Sequence, residues 1–288
     1  MRSVKIITDS ASDIPFELFE KYDISMLPMG VVVGEKTYLD RVDLDAPAFY
    51  KMMREDPESL PKTVMPSVEM IEAQFEKNLN TFEHQIYVCI SSKGSGTYNV
   101  ASMIKNEIED RLGRPSNITI IDSMSFSVGY GIAVREMSRL AYEGAGYDTV
   151  MEAYRRIMDS MNVYMVVDDL KHLQRGGRIN PSVAFVGGML GIKPLLTIKD
   201  GIIDSYGKER GKRRAMEKLI DISVENIKKP DETNVWIVHT DALSDAETMK
   251  SMFLERIKPK EVLIIEFGAC IGSHTGRGLV GIVFNAAE

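Results

Sequence analysis

Apolar positions along this chain fall into short runs that end in hydroxyl or acidic residues, and most are followed by helical spacing. VKIITDS (4–10) is the first, closed by Thr8, Asp9 and Ser10. Residues 86–90 are the second, with Ile86, Val88 and Ile90 apolar; the Ser/Gly-rich turn SSKGSG and a helix from near Thr97 follow. ITIID (118–122) repeats the plan, with a Ser-rich turn and a helix ending near Gly144. Strands that each lead into a helix predict a parallel sheet with helices on both faces. Ligands of such sheets collect beyond the carboxyl ends of the strands, where Thr8, Asp9, Ser10, Ser91, Ser95, Asp122 and Ser123 would meet.

The segments between these strands carry further signals. Ser12 or Asp13 is expected to cap the helix after the first strand, with Pro15 in its first turn. Residues 26–41 read as a β excursion with a turn at Gly34-Glu35, a helix covers about 46–54, and Ser67 caps the next. After a helix over 148–160 the pattern changes. VYMVVDDL (163–170) reads as a strand, Asn180-Pro181 as a helix start entering 183–192, and 194–207 as two strands joined by the hairpin turn Asp200-Gly201. Helices over 211–228 and 245–257 alternate with strands NVWIVHT, EVLIIEFG and GLVGIVFN. The fold class expected is α/β in two domains. Residues 1–162 form a parallel-sheet domain with a β excursion at about 26–41, and residues 163–288 form a mixed or antiparallel α/β domain.

Composition narrows the function. At 288 residues, 44% apolar and 27% charged, the chain is an ordinary globular protein. A net charge of -7 argues against nucleic acid as a partner. The two cysteines form neither a disulfide framework nor a ligand cluster, and the four histidines lack metal-ligand spacing, so no metal or cofactor is expected. MRSVKIITDS runs straight into a strand, and the longest nearly apolar run, 183–198, is broken by Gly187, Gly188, Gly191, Lys193 and Pro194. It falls short of the roughly 20 residues that span a bilayer, so a cytoplasmic protein is expected. The 18 methionines suit core filling or an adaptable apolar pocket.

Candidate chemistry gathers in four places. A helix opening near Thr97 after Gly94 and Gly96 offers unpaired N–H groups and the positive end of its dipole, and Ser91, Ser92, Ser95 and Thr97 add hydroxyls. IGSHTGRG (271–278) sets His274 in a Gly-rich turn, where a ligand or catalytic role outweighs packing. QRGGRI places Arg175 and Arg178 about a Gly-Gly turn, suited to a carboxylate or phosphate. KERGKRRAMEK (208–218) is a dense basic patch that could dock an acidic protein or an anionic membrane, or simply be a solvated helix start. A phosphate-binding P-loop, a dinucleotide fingerprint and a G-x-S-x-G elbow are all absent. Acyl transfer with Ser95 as nucleophile and His274 as its base stays open, as does a phosphate-binding module.

Seven blocks, TDSASDIP (8–15), TVMPS (63–67), SSKGSGTYNVA (91–101), DSMSFSVGYG (122–131), LQRGGRI (173–179), GIKPLL (191–196) and IGSHTGRG (271–278), resemble the DegV family in its order along the whole chain. The resemblance implies a two-domain α/β protein that holds one long-chain fatty acid, such as palmitate, stearate or oleate, in a tunnel between the domains. It implies a non-catalytic binding subunit that presents the acyl carboxylate to a separate ATP-dependent kinase, yielding acyl phosphate for phospholipid synthesis, with transient membrane contact. By matching motifs, Thr63, Ser95, His274 and Arg178 would hold the carboxylate, with Ser92, Gly96, Thr97, Ser123 and Arg277 as secondary candidates. Three departures stand out: Val64-Met65 where Ser-Gln is common, Gly94 where Leu is common and Arg277 where Pro is common. The apolar, glycine-broken run 183–196 is the expected tunnel wall or gate.

Overall fold

The computed structural model describes residues 2–168, 170–183 and 191–286. The elements in order are β1 (Arg2–Asp9), α1 (Glu17–Lys21), β2 (Ser25–Leu27), β3 (Gly30–Val33), β4 (Lys36–Leu39), α2 (Ala46–Glu55), β5 (Lys62–Val64), α3 (Val68–Asn78), β6 (Phe82–Cys89), α4 (Thr97–Leu112), β7 (Ile118–Asp122) and α5 (Val128–Tyr142). There follow α6 (Tyr147–Asp159), β8 (Met161–Val166), α7 (Lys171–Gly176), β9 (Ile192–Lys199), β10 (Ile202–Arg210), α8 (Lys212–Asn226), β11 (Asn234–His239), α9 (Leu243–Arg256), β12 (Glu261–Glu266), α10 (Ala269–Thr275) and β13 (Val280–Asn285). They pack into two units, one of residues 1–30 and 64–159, the other of residues 31–63 and 160–288. The chain was expected to divide once, at 162. In the packing, residues 31–63 group with the second unit, because Phe49 and Tyr50 of α2 bury against Ala269 and the Tyr50 hydroxyl donates to the Phe267 carbonyl at 2.8 Å.

The first unit is a parallel sheet in the order β2-β1-β6-β7. Strand periodicity sends Ile7, Tyr87 and Ile118 to one face, where they meet Ile71 and Phe75 of α3 and Ile104 and Ile108 of α4. Helix α5 packs against β1. Ser67 caps α3, its Oγ accepting from Met70 N at 3.3 Å. Neither Ser12 nor Asp13 caps α1. Asp13 sits in the left-handed region at φ 47°, where Asp is tolerated, and its carboxylate accepts from Ser127 Oγ at 2.6 Å.

The second unit carries a six-stranded mixed sheet, β10-β9-β8-β13-β11-β12, antiparallel except between β11 and β12. Leu219 and Ile220 of α8 and Met249 and Phe253 of α9 bury against Ile237, Ile282 and Phe284 of that sheet. The β9–β10 hairpin turns through Asp200 and Gly201, both with positive φ (50° and 77°), as a two-residue primed turn requires. Strands β4, β3 and β5 form a small separate sheet, and the turn at Gly34-Glu35 joins its first two. The strand expected over 163–170 ends at Val166, since Leu170 already leads into α7. The helix expected to enter 183–192 falls largely on residues 184–190, which lie outside the described residues, as does half of the expected tunnel wall. Among the described residues, no helix is long and apolar enough to cross a membrane, and no group of three His, Cys, Asp or Glu could hold a metal ion.

Candidate functional site

In the first unit the Ser/Gly turn between β6 and α4 is internally bonded. Gly94 N and Ser95 N donate to Ser91 O at 2.9 and 3.0 Å, and Lys93 N donates to Ser91 Oγ at 3.2 Å. Asp122, expected at a ligand edge, instead accepts from Ser92 N and Met124 N on one oxygen, each at 3.0 Å. That carboxylate takes up one of the N–H groups an anion was expected to find. Ser123 closes a turn on Ser125, both accepting from its N–H and donating to its carbonyl at 3.2 Å. Ser95 is partly buried. Its Oγ pairs with Thr97 Oγ1 at 2.8 Å and reaches Thr97 N at 3.4 Å, while Gly96 gives α4 no side-chain cap. Ser95 therefore has a hydroxyl beside it and no imidazole among these bonds.

Gly94 has a local reason. A Cβ built there would lie 2.4 Å from Phe126 Cε1 and 2.8 Å from Phe126 Cζ. Phe126 thus fills the space that a side chain at position 94 would take.

Beneath the sheet ends of the first unit lies a second polar layer. Asp9 is fully buried; it accepts from Ile90 N at 2.9 Å and from the Tyr130 hydroxyl at 2.5 Å. Thr8 donates to Val88 O at 3.2 Å, and Ser10 Oγ accepts from Met29 N at 3.0 Å. Burial, then the nearby Asp9 carboxylate, hold the Tyr130 phenol well above its ordinary pKa, so the hydroxyl keeps its proton and donates. These residues knit β1, β6 and α5 together. Cys89, in the same strand as Ile86, is a buried thiol pushed upward in pKa by burial.

The second unit brings Thr63, His274 and Arg178 into one cluster. Thr63 Oγ1 and His274 Nε2 are 2.7 Å apart. His274 was expected in a turn after a strand; it lies instead in the last turn of α10, between Gly272 and Gly276. Gly272 permits that helix to approach α2, since a Cβ there would lie 2.6 Å from the Tyr50 hydroxyl. Arg178 follows the Gly176-Gly177 pair, and its Nη1 turns back to donate to the Gly176 carbonyl. Gly177, at φ 67°, closes α7: its N–H donates to Gln174 O and the Arg178 N–H to Leu173 O, a Schellman arrangement.

Burial lowers the His274 pKa to about 4, helped by the positive charge of Arg178 and by His172. The imidazole is therefore neutral at pH 7. With the proton on Nε2, the ring donates to Thr63 Oγ1 and leaves the threonine proton free to reach an incoming oxygen. A threonine proton directed outward beside a guanidinium suits a carboxylate or phosphate oxygen.

The depressed value has a consequence for stability. The unfolded chain takes a proton on this residue near pH 6.5 and the folded chain only near 4. The contribution of the neutral ring is complete above pH 6.5 and is lost as pH falls towards 4, by at most about 3 kcal/mol. Urea unfolding of wild type and His274→Gln should show curves that converge over that interval. Parallel curves across pH 4–6.5 would contradict it.

Arg277 does not turn to this cluster. Its Nε donates to Asp241 Oδ2 at 2.5 Å, and Arg54 Nη1 donates to Asp241 Oδ1 at 2.5 Å, so one carboxylate ties α2 to the turn after α10. Arg277, Asp241, Lys212, Asp168, His172 and Thr275 line a cleft of about 560 Å³ in the second unit. Of the basic patch, Lys212 pairs with Asp245 at 2.6 Å and Arg213 with Glu217 at 3.3 Å.

The family model of DegV proteins matches residues 3–287. The chain belongs to the DegV family. A DegV domain-containing protein of Clostridium acetobutylicum is 31% identical over 285 residues, covering 98% of this chain and 99% of that one. Another, of Caldanaerobacter subterraneus, is 32% identical and covers 99% of each. Among solved structures, a fatty acid-binding DegV family protein of Thermus thermophilus is 27% identical with a TM-score of 0.88, covering 99% of this chain and all of that one. A stearic acid-binding protein of Eubacterium ventriosum is 26% identical with a TM-score of 0.87, over 98% of each chain. This chain shares its two-unit α/β fold with them.

Two residues of this DegV chain were not singled out in the sequence: His172, one turn of α7 before Gly176 and close to His274, and Asp241, which binds Arg277 away from the cluster. Asp241 adopts φ 49°, a conformation that a short acidic residue tolerates and that no local sequence signal announces.

Proposed function

We propose that this DegV protein binds one long-chain fatty acid and presents its carboxylate to a separate kinase subunit, which phosphorylates it to an acyl phosphate. The carrying observation is the neutral, hydrogen-bonded Thr63–His274 pair beside Arg178. The likeness to proteins described as binding fatty acids supports the same reading. Ser95, with Ser92, Gly96, Thr97 and Ser123 around it, is proposed as the head-group contribution of the Ser/Gly turn, and the tail is proposed to run in a tunnel between the two domains.

The energetics assign different tasks to the two ends of the ligand. At about 0.8 kcal/mol per buried methylene, a tail of roughly 15 represents on the order of 12 kcal/mol of gross transfer free energy. A hydrogen bond to a charged group adds about 1.5–3 kcal/mol. The tail supplies the grip and the hydroxyl–imidazole–guanidinium cluster fixes where the reacting oxygen sits. A bound carboxylate also raises the proton affinity of His274, so binding takes up protons as pH falls towards 4.

Lipid extraction and mass spectrometry of purified protein test the binding half. One long-chain fatty acid per chain is expected. Protein that emerges empty and then refuses added palmitate and oleate overturns the reading. The second half is tested by adding an ATP-dependent fatty acid kinase subunit and following acyl phosphate. Turnover of an activated ester by the protein alone, abolished in Ser95→Ala, would favour acyl transfer instead.

A further inference from the structure

Gly176 occupies the last helical position of α7, a place where alanine favours a helix by about 0.5–1 kcal/mol over glycine. No positive φ requires glycine there, in contrast with Gly177 at 67°. What excludes a side chain is the ring across the gap. A Cβ on Gly176 would lie 2.5 Å from His274 Nδ1 and 3.4 Å from His274 Cε1. The opposite edge of that ring carries the Nε2 bonded to Thr63. The arrangement is reciprocal, because a Cβ on Gly276, two residues after His274, would lie 2.7 Å from His172 Cδ2 on α7. Each short helix seats a histidine of the other against a glycine. The Gly176 carbonyl also accepts from Arg178 Nη1, so the same residue touches both charged or polarisable members of the cluster.

We propose that Gly176 is a positioning residue for the head-group site: its missing side chain sets the depth of the His274 ring and so fixes Nε2 on Thr63. The atom that a new methyl would strike belongs to a side-chain ring, not to backbone. The ring swings away, the Thr63 bond breaks, and the fold stays intact. The consequence for fatty acid retention rests on the function proposed above; the consequence for the ring does not.

The groups that face His274 are Thr63 from β5, His172 and Arg178 from α7 and the residue after its C-cap, and Gly176 itself. In Gly176→Ala the ring moves out of its buried seat, so its titration midpoint should rise from about 4 towards the ordinary 6.5, read by proton NMR of the imidazole. Its Nε2 resonance should lose the signature of the Thr63 bond.

A thermal cycle with His274→Ala keeps the test decisive if Gly176→Ala alone folds poorly. With the ring gone, Gly176→Ala should raise Tm by about 1–2 °C through helix propensity, whereas in the native background it should lower Tm or leave it unchanged. An unaltered His274 midpoint and Nε2 signal in Gly176→Ala would overturn the proposal, as would an equal loss of Tm in both backgrounds, which would assign the glycine to the α7 backbone. Retention of added palmitate, measured on the same variants, reports on the function separately. Wild type that binds no palmitate would end that reading and leave the ring-positioning result standing.

Discussion

Replacing Asp9 with alanine is expected to destabilise the first unit by about 3–5 kcal/mol. The carboxylate is fully buried and receives two donors from other elements, the Ile90 N–H at 2.9 Å and the Tyr130 hydroxyl at 2.5 Å. Alanine strands both donors away from water, and each stranded donor costs about 1–3 kcal/mol. Tyr130 has no exposed surface, so it cannot turn to solvent for a substitute. Asp9→Asn keeps an acceptor for one donor and should cost less than half as much. Trp236 is the sole tryptophan and lies in β11 of the second unit, so its fluorescence watches the wrong half of the chain. Hydrogen exchange in β1 and β6, alongside urea unfolding followed by circular dichroism, is the measurement. Exchange in those strands that matches wild type would show that the network adds nothing to stability.

Thr63→Val should weaken fatty acid binding about 10- to 100-fold, the equivalent of one hydrogen bond to a charged group. Valine keeps the shape of the side chain and removes only the hydroxyl that His274 orients. Because the tail carries most of the transfer free energy, binding should weaken without disappearing, and Thr63→Ser should restore it. Coupling to a kinase subunit should fall further than affinity, since a loosely held carboxylate spends less time in the reactive orientation. Displacement of a fluorescent fatty acid provides the affinities. Equal affinities for Thr63→Val and wild type would remove the threonine from the site.

The regions that could be read from the sequence are those where local pattern and tertiary demand agree. β1 and β7 end in acidic residues, β6 runs on through Ile90 into the Ser91-Ser92 turn, each leads to a helix, and the parallel sheet follows from that order alone. Ser67 and the Asp200-Gly201 turn behave as local chemistry dictates. The readings that differ depend on distant partners. Asp13 bonds to Ser127, 114 residues later, which draws it away from the α1 cap. Asp122 spends an oxygen on the Ser92 and Met124 N–H groups, so a residue with the right chemistry for a ligand edge acts as a brace. At the site, the histidine and the Gly-Gly turn were visible as motifs. The contact of His274 with Gly176 joins positions 98 residues apart by nothing but space. Arg277 looked suited to an anionic ligand because its partner, Asp241, lies on another loop.

The backbone passes between the two packed units after residue 30, after residue 63 and after residue 159. Thr63 is the last residue of the inner loan, at the second of these passages. A gene cut at residue 160 would therefore produce no natural half: its first product would carry Tyr50 without the Phe267 carbonyl and Thr63 without His274. Any dissection of this protein by truncation has to move residues 31–63 along with the far segment, by permutation or by co-expression.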